Sequence, residues 1–169
     1  MNHDFSFFEL GIDRVSRRLP GMPRDQVVLN RLFFFVFKEL DELYNQRLSH
    51  HGLNSTTFLA LVMLYSSEGA RLNPCDLSDA LVSSRTNVTR LTDELVGAGW
   101  VQRQASSEDR RRIELSLTGS GSALVETVLP VVWDLVRDQW SDFSQTEIVE
   151  FNRLLRKLLA GPQIAGKSP

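Results

Sequence analysis

Apolar residues recur along this chain at helical spacing in six places, and at strand spacing in one. Residues 5–19 carry Phe5, Phe8, Leu10, Ile12, Val15 and Leu19, which predicts a short helix whose apolar side needs a partner. Pro20-Gly21-Met22-Pro23 separates it from the next element. Residues 25–48 predict a long helix with Val28, Leu29, Leu32, Phe33, Val36, Phe37, Leu40 and Leu43 as a broad stripe. Phe34 and Phe35 widen that stripe almost all round, so the helix is expected to be buried on more than one side. Gly52 follows its end as a helix-stopping residue. Asn54 or Ser55 caps a third helix to about Ser67, with Phe58, Leu61, Val62 and Tyr65 expected to face inward.

The centre of the chain changes rhythm. Leu77, Ala80 and Leu81 predict a short helix from Pro74, followed by the tight turn Val82-Ser83-Ser84. Val88, Leu91 and Leu95 then line one side of a second helix, with Ser83 or Ser84 as its cap and Gly97 and Gly99 at its end. Its other side is Arg85, Thr86, Asn87, Thr89, Arg90 and Asp93. Two helices joined by a short turn, the second exposing Arg, Thr and Asn near its start, form a helix-turn-helix pattern. Trp100–Gln104 reads as a strand. Ile113, Leu115 and Leu117 alternate with Arg112, Glu114 and Ser116 as a half-buried strand. The polar, basic segment 105–111 between them is the tip of a hairpin.

After the hairpin, Thr118 caps a helix to about Trp140, in which Pro130 removes one hydrogen bond and predicts a kink. Ser144-Gln145-Thr146-Glu147 is a capping box. It opens a last helix with Ile148, Phe151, Leu154, Leu155, Leu158 and Leu159 on one face. The terminal helices carry more apolar surface than a small winged helix covers, which predicts association into a two-fold homodimer.

The run Asp109-Arg110-Arg111-Arg112-Ile113-Glu114-Leu115-Ser116-Leu117-Thr118, with Gly121 after it, resembles the DxR…LTxxG wing signature of MarR-type transcriptional regulators. Residues 84–90 look like the recognition helix of MarR-type repressors of multidrug efflux. The resemblance covers roughly residues 25–159. It implies a mainly α fold with a small β-hairpin wing: a winged helix-turn-helix at 54–118, with intertwined dimerisation helices at 1–53 and 119–169. It also implies that Asp109 braces Arg111 and that Arg111 enters the minor groove. Three consecutive arginines leave that assignment open among Arg110, Arg111 and Arg112.

Composition adjusts this picture. The net charge of −2 over 169 residues argues at first against nucleic acid. Between Ser83 and Arg112, however, six arginines face four carboxylates, a local +2, while the remainder carries −4. DNA binding needs a local patch rather than a basic chain. The expected partners are therefore double-stranded DNA and a second copy of the chain. Ser84, Arg85, Thr86, Asn87, Thr89, Arg90 and Asp109 to Arg112 are the expected DNA-contacting residues. Arg pairs with guanine and Asn with adenine through two hydrogen bonds each.

A small aromatic or anionic ligand is the third expected partner, by the same resemblance. Phe34, Phe35, Phe58 and Tyr65 supply aromatic walls, Arg31 a cation and His51 a hydrogen bond. Residue by residue, ordinary core packing is the favoured reading of the aromatics. No cofactor is expected. Cys75 is a lone cysteine better read as structural than redox-active, and His50 and His51 lack further metal ligands at useful spacing. Gly119-Ser120-Gly121-Ser122 lacks the ending of a phosphate loop, and no nucleophile elbow is present, so an enzyme is not expected. The Phe33–Phe37 run is too short to span a bilayer, no apolar stretch is expected to be long enough, and the N-terminus lacks a secretory pattern. These point to the cytoplasm. The competing functions are a winged-helix protein-interaction module without DNA binding, and a DNA-binding activator or silencer without ligand control.

Overall fold

The computed structural model describes residues 5–67, 71–81, 84–105 and 112–161, with the Arg85 side chain excepted. Among them are seven helices and three strands: α1 (Ser6–Arg18), α2 (Arg24–Ser49), α3 (Ser55–Ser66), β1 (Arg71–Leu72), α4 (Pro74–Ala80), α5 (Arg85–Gly97), β2 (Val101–Ala105), β3 (Ile113–Leu117), α6 (Gly119–Gln139) and α7 (Gln145–Leu159). The expected helices and hairpin all form. The fold is mainly α with a small sheet, as a winged helix-turn-helix requires. The chain divides into two compact units, residues 1–128 and 129–169, and α6 runs through the boundary.

In the first unit, the helix starts follow from local chemistry. Asn54 caps α3: its Oδ1 accepts from the Thr57 amide at 2.9 Å, and Thr57 Oγ1 accepts from the Asn54 amide at 2.8 Å. Asn73 caps α4 by accepting from the Cys75 and Asp76 amides, with Pro74 in the first turn where no N–H is missed. Ser84 caps α5 through the Asn87 amide. Each such cap is worth about 1 kcal/mol.

The sheet is antiparallel in the order β1-β3-β2, with Val101 opposite Leu117, Arg103 opposite Leu115 and Ala105 opposite Ile113. The third strand, β1, pairs Arg71 with Ser116 and Leu72 with Leu115; it was not expected. It makes β3 a central strand, and this revises the alternation. Leu115 is fully buried against the helices, whereas Ile113, paired with Ala105 at the tip end of the hairpin, is exposed. Ser116 is buried on the opposite face, where the Gln102 and Gln104 amides donate to its hydroxyl. Leu61, Leu64, Leu77, Val88, Leu95, Val101, Leu115, Val125 and Val128 complete the core.

Two helices differ from expectation. The inward side of α3 is Thr57, Ala60, Leu61 and Leu64; Phe58 and Val62 are half-buried, and Tyr65 is exposed. The buried stripe is therefore shifted by one position toward the small residues, which allow close approach. In α2 only Leu48 is buried. Phe34 is 58% exposed and Phe37 63%. A 26-residue helix is about 39 Å long, and α1 and α3 are its principal packing partners. One chain does not bury the aromatic stripe. α1 lies on α2 through Phe5 and Phe8 against Phe35, and through Arg24, which donates to Asp13 at 2.7 Å. No residue of α1 is buried.

The first turn of α6 passes directly over the Trp100 backbone. Thr118 donates its amide to the Trp100 carbonyl and its hydroxyl to the Gly99 carbonyl, and accepts from the Gly121 amide. A Cβ on Gly121 would overlap the Trp100 carbonyl oxygen. The Leu117-Thr118-x-x-Gly121 run is thus the seam that fastens β3 and α6 to the β2 entrance. α6 is also 21 residues long, with a window of mean hydropathy 1.2, so by length and composition it does reach that of a membrane span. This corrects the expectation that no stretch would. The core helix of a soluble protein meets the same test, and α6 carries Glu126, Asp134, Arg137 and Asp138.

The second unit contains the end of α6 and α7. Ser144 and Glu147 form the expected capping box. The Ser144 amide and hydroxyl donate to Glu147 at 2.9 and 2.7 Å, which holds its carboxyl below its ordinary pKa. Trp140 packs against Phe143 and Phe151. No residue of α7 is buried, and Leu158 and Leu159 are 58% and 65% exposed.

Candidate nucleic-acid interface

The helix-turn-helix is α4 and α5. Burial of Val88, Leu91 and Leu95 against the core fixes which side of α5 points outward. Thr92 is buried too, and its hydroxyl donates back to the Val88 carbonyl at 2.6 Å. That leaves Ser84, Thr86, Asn87, Thr89 and Arg90 exposed together over the first two turns. Arg85 begins the helix; its side chain lies outside the description. Six of the expected DNA contacts therefore share one helix start, where side chains reach base edges in a major groove.

The wing is rooted firmly. Arg103 of β2 pairs with Asp93 of α5 at 2.6 Å, and Arg71 of β1 pairs with Glu114 of β3 at 3.2 Å. Neither pair was anticipated. The signal available was the stripe Thr86, Thr89, Asp93, three and four apart, which carries a carboxylate toward the hairpin. Arg112 is exposed immediately before β3. Asp109, Arg110 and Arg111 lie outside the described residues.

The expected ligand residues lie on α2, just after it, and on α3. The Arg31 guanidinium lies 4.6 Å over the Phe8 ring, and Phe35 meets Phe5 and Phe8 edge-on, so α1 occupies both. Phe34 is exposed beside Phe33. His51 and Phe58 are half-buried. The Tyr65 hydroxyl donates to Glu126 at 3.0 Å, which raises its pKa. A cavity of about 410 Å³ among the described residues lies between the end of α2, the start of α3 and the side of α5. It is lined by Asp41, Asn45, Ser55, Asn87, Arg90 and Glu94, among others. Among the described residues no cluster of metal-ligating side chains occurs, and Cys75 is exposed.

The transcriptional repressor MprA of Escherichia coli K12 is 37% identical over 160 residues, covering 95% of this chain and 91% of its own. The chain belongs to the MarR family. The MarR family profile matches residues 53–113, from the α3 cap to the start of β3. The HTH-type transcriptional regulator PapX of E. coli is 30% identical, covering 83% of this chain and 86% of its own. Among solved structures, a MarR mutant from E. coli complexed with operator DNA superposes with a TM-score of 0.73 at 28% identity, covering 82% of this chain and 98% of that one. AbsC, a MarR family transcriptional regulator from Streptomyces coelicolor, gives 0.74 at 25% identity, covering 81% and 92%. For this MarR family member, the winged helix-turn-helix expected from the wing signature is thus found both in its own fold and in its relatives.

Proposed function

We propose that this MarR family protein is a homodimeric transcriptional repressor that binds a pseudo-palindromic operator in the cytoplasm and is released by a small aromatic or anionic ligand. The observation that carries the DNA reading is the start of α5. Thr86, Asn87, Thr89 and Arg90 stand exposed on a helix whose other side is locked into the core. The likeness to a MarR structure complexed with operator DNA supports placing this helix in a major groove. Arg111, with Asp109 to brace it, would enter the adjacent minor groove, flanked by Arg110 and Arg112; a narrow groove has a deeper negative potential.

Residues 54–118 act as the DNA-binding lobe, and 1–53 with 119–169 as dimerisation segments. The exposed stripes of α2 and α7 support pairing with a second copy, since apolar surface of that extent is costly to leave in water. The contact of Arg31 with Phe8, and of Phe35 with Phe5 and Phe8, supports a surface that takes an aromatic ring beside a cation, where a ligand ring would replace the one α1 places there. Phe34, His51, Phe58 and Tyr65 are the further ligand contacts of this proposal. A ligand that prefers one spacing of the recognition helices lowers operator affinity by shifting the population away from the other.

Arg90→Ala tests the DNA reading by fluorescence anisotropy on a selected duplex. Loss of about 1–3 kcal/mol of binding is expected. Unchanged affinity for both Arg90→Ala and Asn87→Ala would remove α5 from the interface. Titration of the protein–DNA complex with a panel of aromatic carboxylic acids and phenols tests the ligand. Release by at least one is expected, and no effect from any would overturn that part.

A further inference from the structure

The α2–α3 corner carries a hydrogen-bonded lock that the capping of α3 does not require. Asp41 and Asn45 sit four apart, hence on one side of α2. Asn45 Nδ2 donates to Asp41 Oδ2 at 3.0 Å, which orients both side chains. Both then bind the same residue of α3. The Ser55 amide donates to Asn45 Oδ1 at 2.7 Å, and the Ser55 hydroxyl donates to Asp41 Oδ1 at 2.7 Å. Ser55 is the first residue of α3, whose N–H has no partner within its own helix. In an unconstrained corner, water satisfies it. Here a side chain from α2 does so, while Asn54 separately satisfies Thr57.

Four features make this a joint rather than a cap. It ties the end of α2, whose aromatic stripe is exposed, to the start of the lobe that holds the recognition helix. All three side chains are half-buried, so solvent competes only in part. The same three residues form one wall of the 410 Å³ cavity whose opposite wall is Asn87, Arg90 and Glu94 of α5. The cavity leaves space between Asp41 and Asn45 of α2 and Asn87, Arg90 and Glu94 of α5, so loss of the lock gives the lobe room to turn against α2.

We propose that Asp41, Asn45 and Ser55 are positioning residues that set the angle between α2 and the winged lobe, and so set the half-site spacing the protein accepts. The second half of this claim rests on the dimeric DNA-binding reading above. Recognition helices of a dimer must meet half-sites about one helical turn, ~34 Å, apart. A joint that holds each lobe at one angle makes that spacing strict.

The test separates the two halves. Nitroxides are placed at Lys38→Cys on α2 and Ala98→Cys after α5, in a Cys75→Ser background. The labelled chain is diluted into excess unlabelled chain, so that only the distance within one chain is read. Asn45→Ala is expected to broaden that distance distribution by about twofold, while Ser55→Thr, which keeps the amide and hydroxyl, leaves it unchanged. An unchanged width in both Asn45→Ala and Ser55→Ala overturns the joint, whatever DNA does. Duplexes with half-sites moved apart by two base pairs are then compared. The wild-type chain is expected to lose at least about tenfold in affinity, and Asn45→Ala no more than about threefold. Equal losses in both would overturn control of spacing. A broadened distribution in a protein that binds no duplex at any spacing would uphold the joint and sink the DNA reading instead.

Discussion

The winged lobe and the α1–α2 hairpin treat their apolar residues in opposite ways. In the lobe, Leu61, Leu64, Leu77, Leu95 and Leu115 are all at 1% exposure or less, and the sheet, caps and seam satisfy the polar groups around them. In the hairpin, three consecutive phenylalanines lie on a helix with one buried residue, and α1 has none. The second unit repeats the hairpin's pattern in α7. One region finishes its folding within a single chain. The other two leave burial incomplete, and a second copy is what our proposal supplies to complete it. The same residue types therefore read as core in one place and as interface in the other, and only their surroundings tell them apart.

The comparison breaks most sharply in the lobe. Leu115→Ala deletes a fully buried side chain on the central strand, which two strands flank and α3 and α4 contact. A loss of about 2–5 kcal/mol is expected at every protein concentration, measurable by denaturant unfolding. Gly121→Ala is next. Its Cβ meets Trp100 backbone, which is not free to move, so about 3 kcal/mol is expected, against little effect for Gly119→Ala, whose Cβ has open space. Equal effects would mean that the α6 seam is not a close contact.

In the hairpin the outcome depends on concentration. Phe37→Asp is expected to leave the lobe folded and to weaken self-association by at least about tenfold, since a buried Phe contributes about 1.5–3 kcal/mol. Sedimentation measures it; unchanged mass at micromolar protein would remove α2 from the interface. The smallest effect belongs to pH. The Ser144 donors hold Glu147 below its ordinary value of 4.5, and Arg153 does the same to Glu150. Groups with lowered folded-state pKa stabilise above the unfolded value and lose that contribution as pH falls through the folded one. Protection of α7 amides is therefore expected to drop below about pH 4.5, less so in Glu147→Gln.

Most of the fold was legible because helix periodicity and caps are local. Thr118 and Ser144 cap where their spacing to the next apolar residue places them, and of the two candidates Ser83 and Ser84 it is Ser84 that caps α5. The start of α5 was legible for the same reason: Val88, Leu91 and Leu95 fix one side, and the remainder faces out. What escaped depends on neighbours distant in sequence. β1 is two residues long and shows no period. Ile113 and Ser116 exchange their expected burial: β1 makes β3 central, and Ile113 pairs with Ala105 at the far end of the β2–β3 register. The α2–α3 joint pairs residues 10 and 14 apart, which no single-element period reports. The stripe of α2 was correctly read as apolar, but its burial on several sides is not met within one chain.

In the function we propose, the exposed start of α5 reads DNA as one of a symmetric pair. Selection of bound duplexes from a random pool, followed by sequencing at a stated salt concentration, tests it most directly, since non-specific affinity falls steeply with salt. Enrichment of a pseudo-palindrome with half-sites about one helical turn apart, lost in Arg90→Ala, is expected. A pool no more enriched than the non-specific background, for a chain that remains folded, would contradict it.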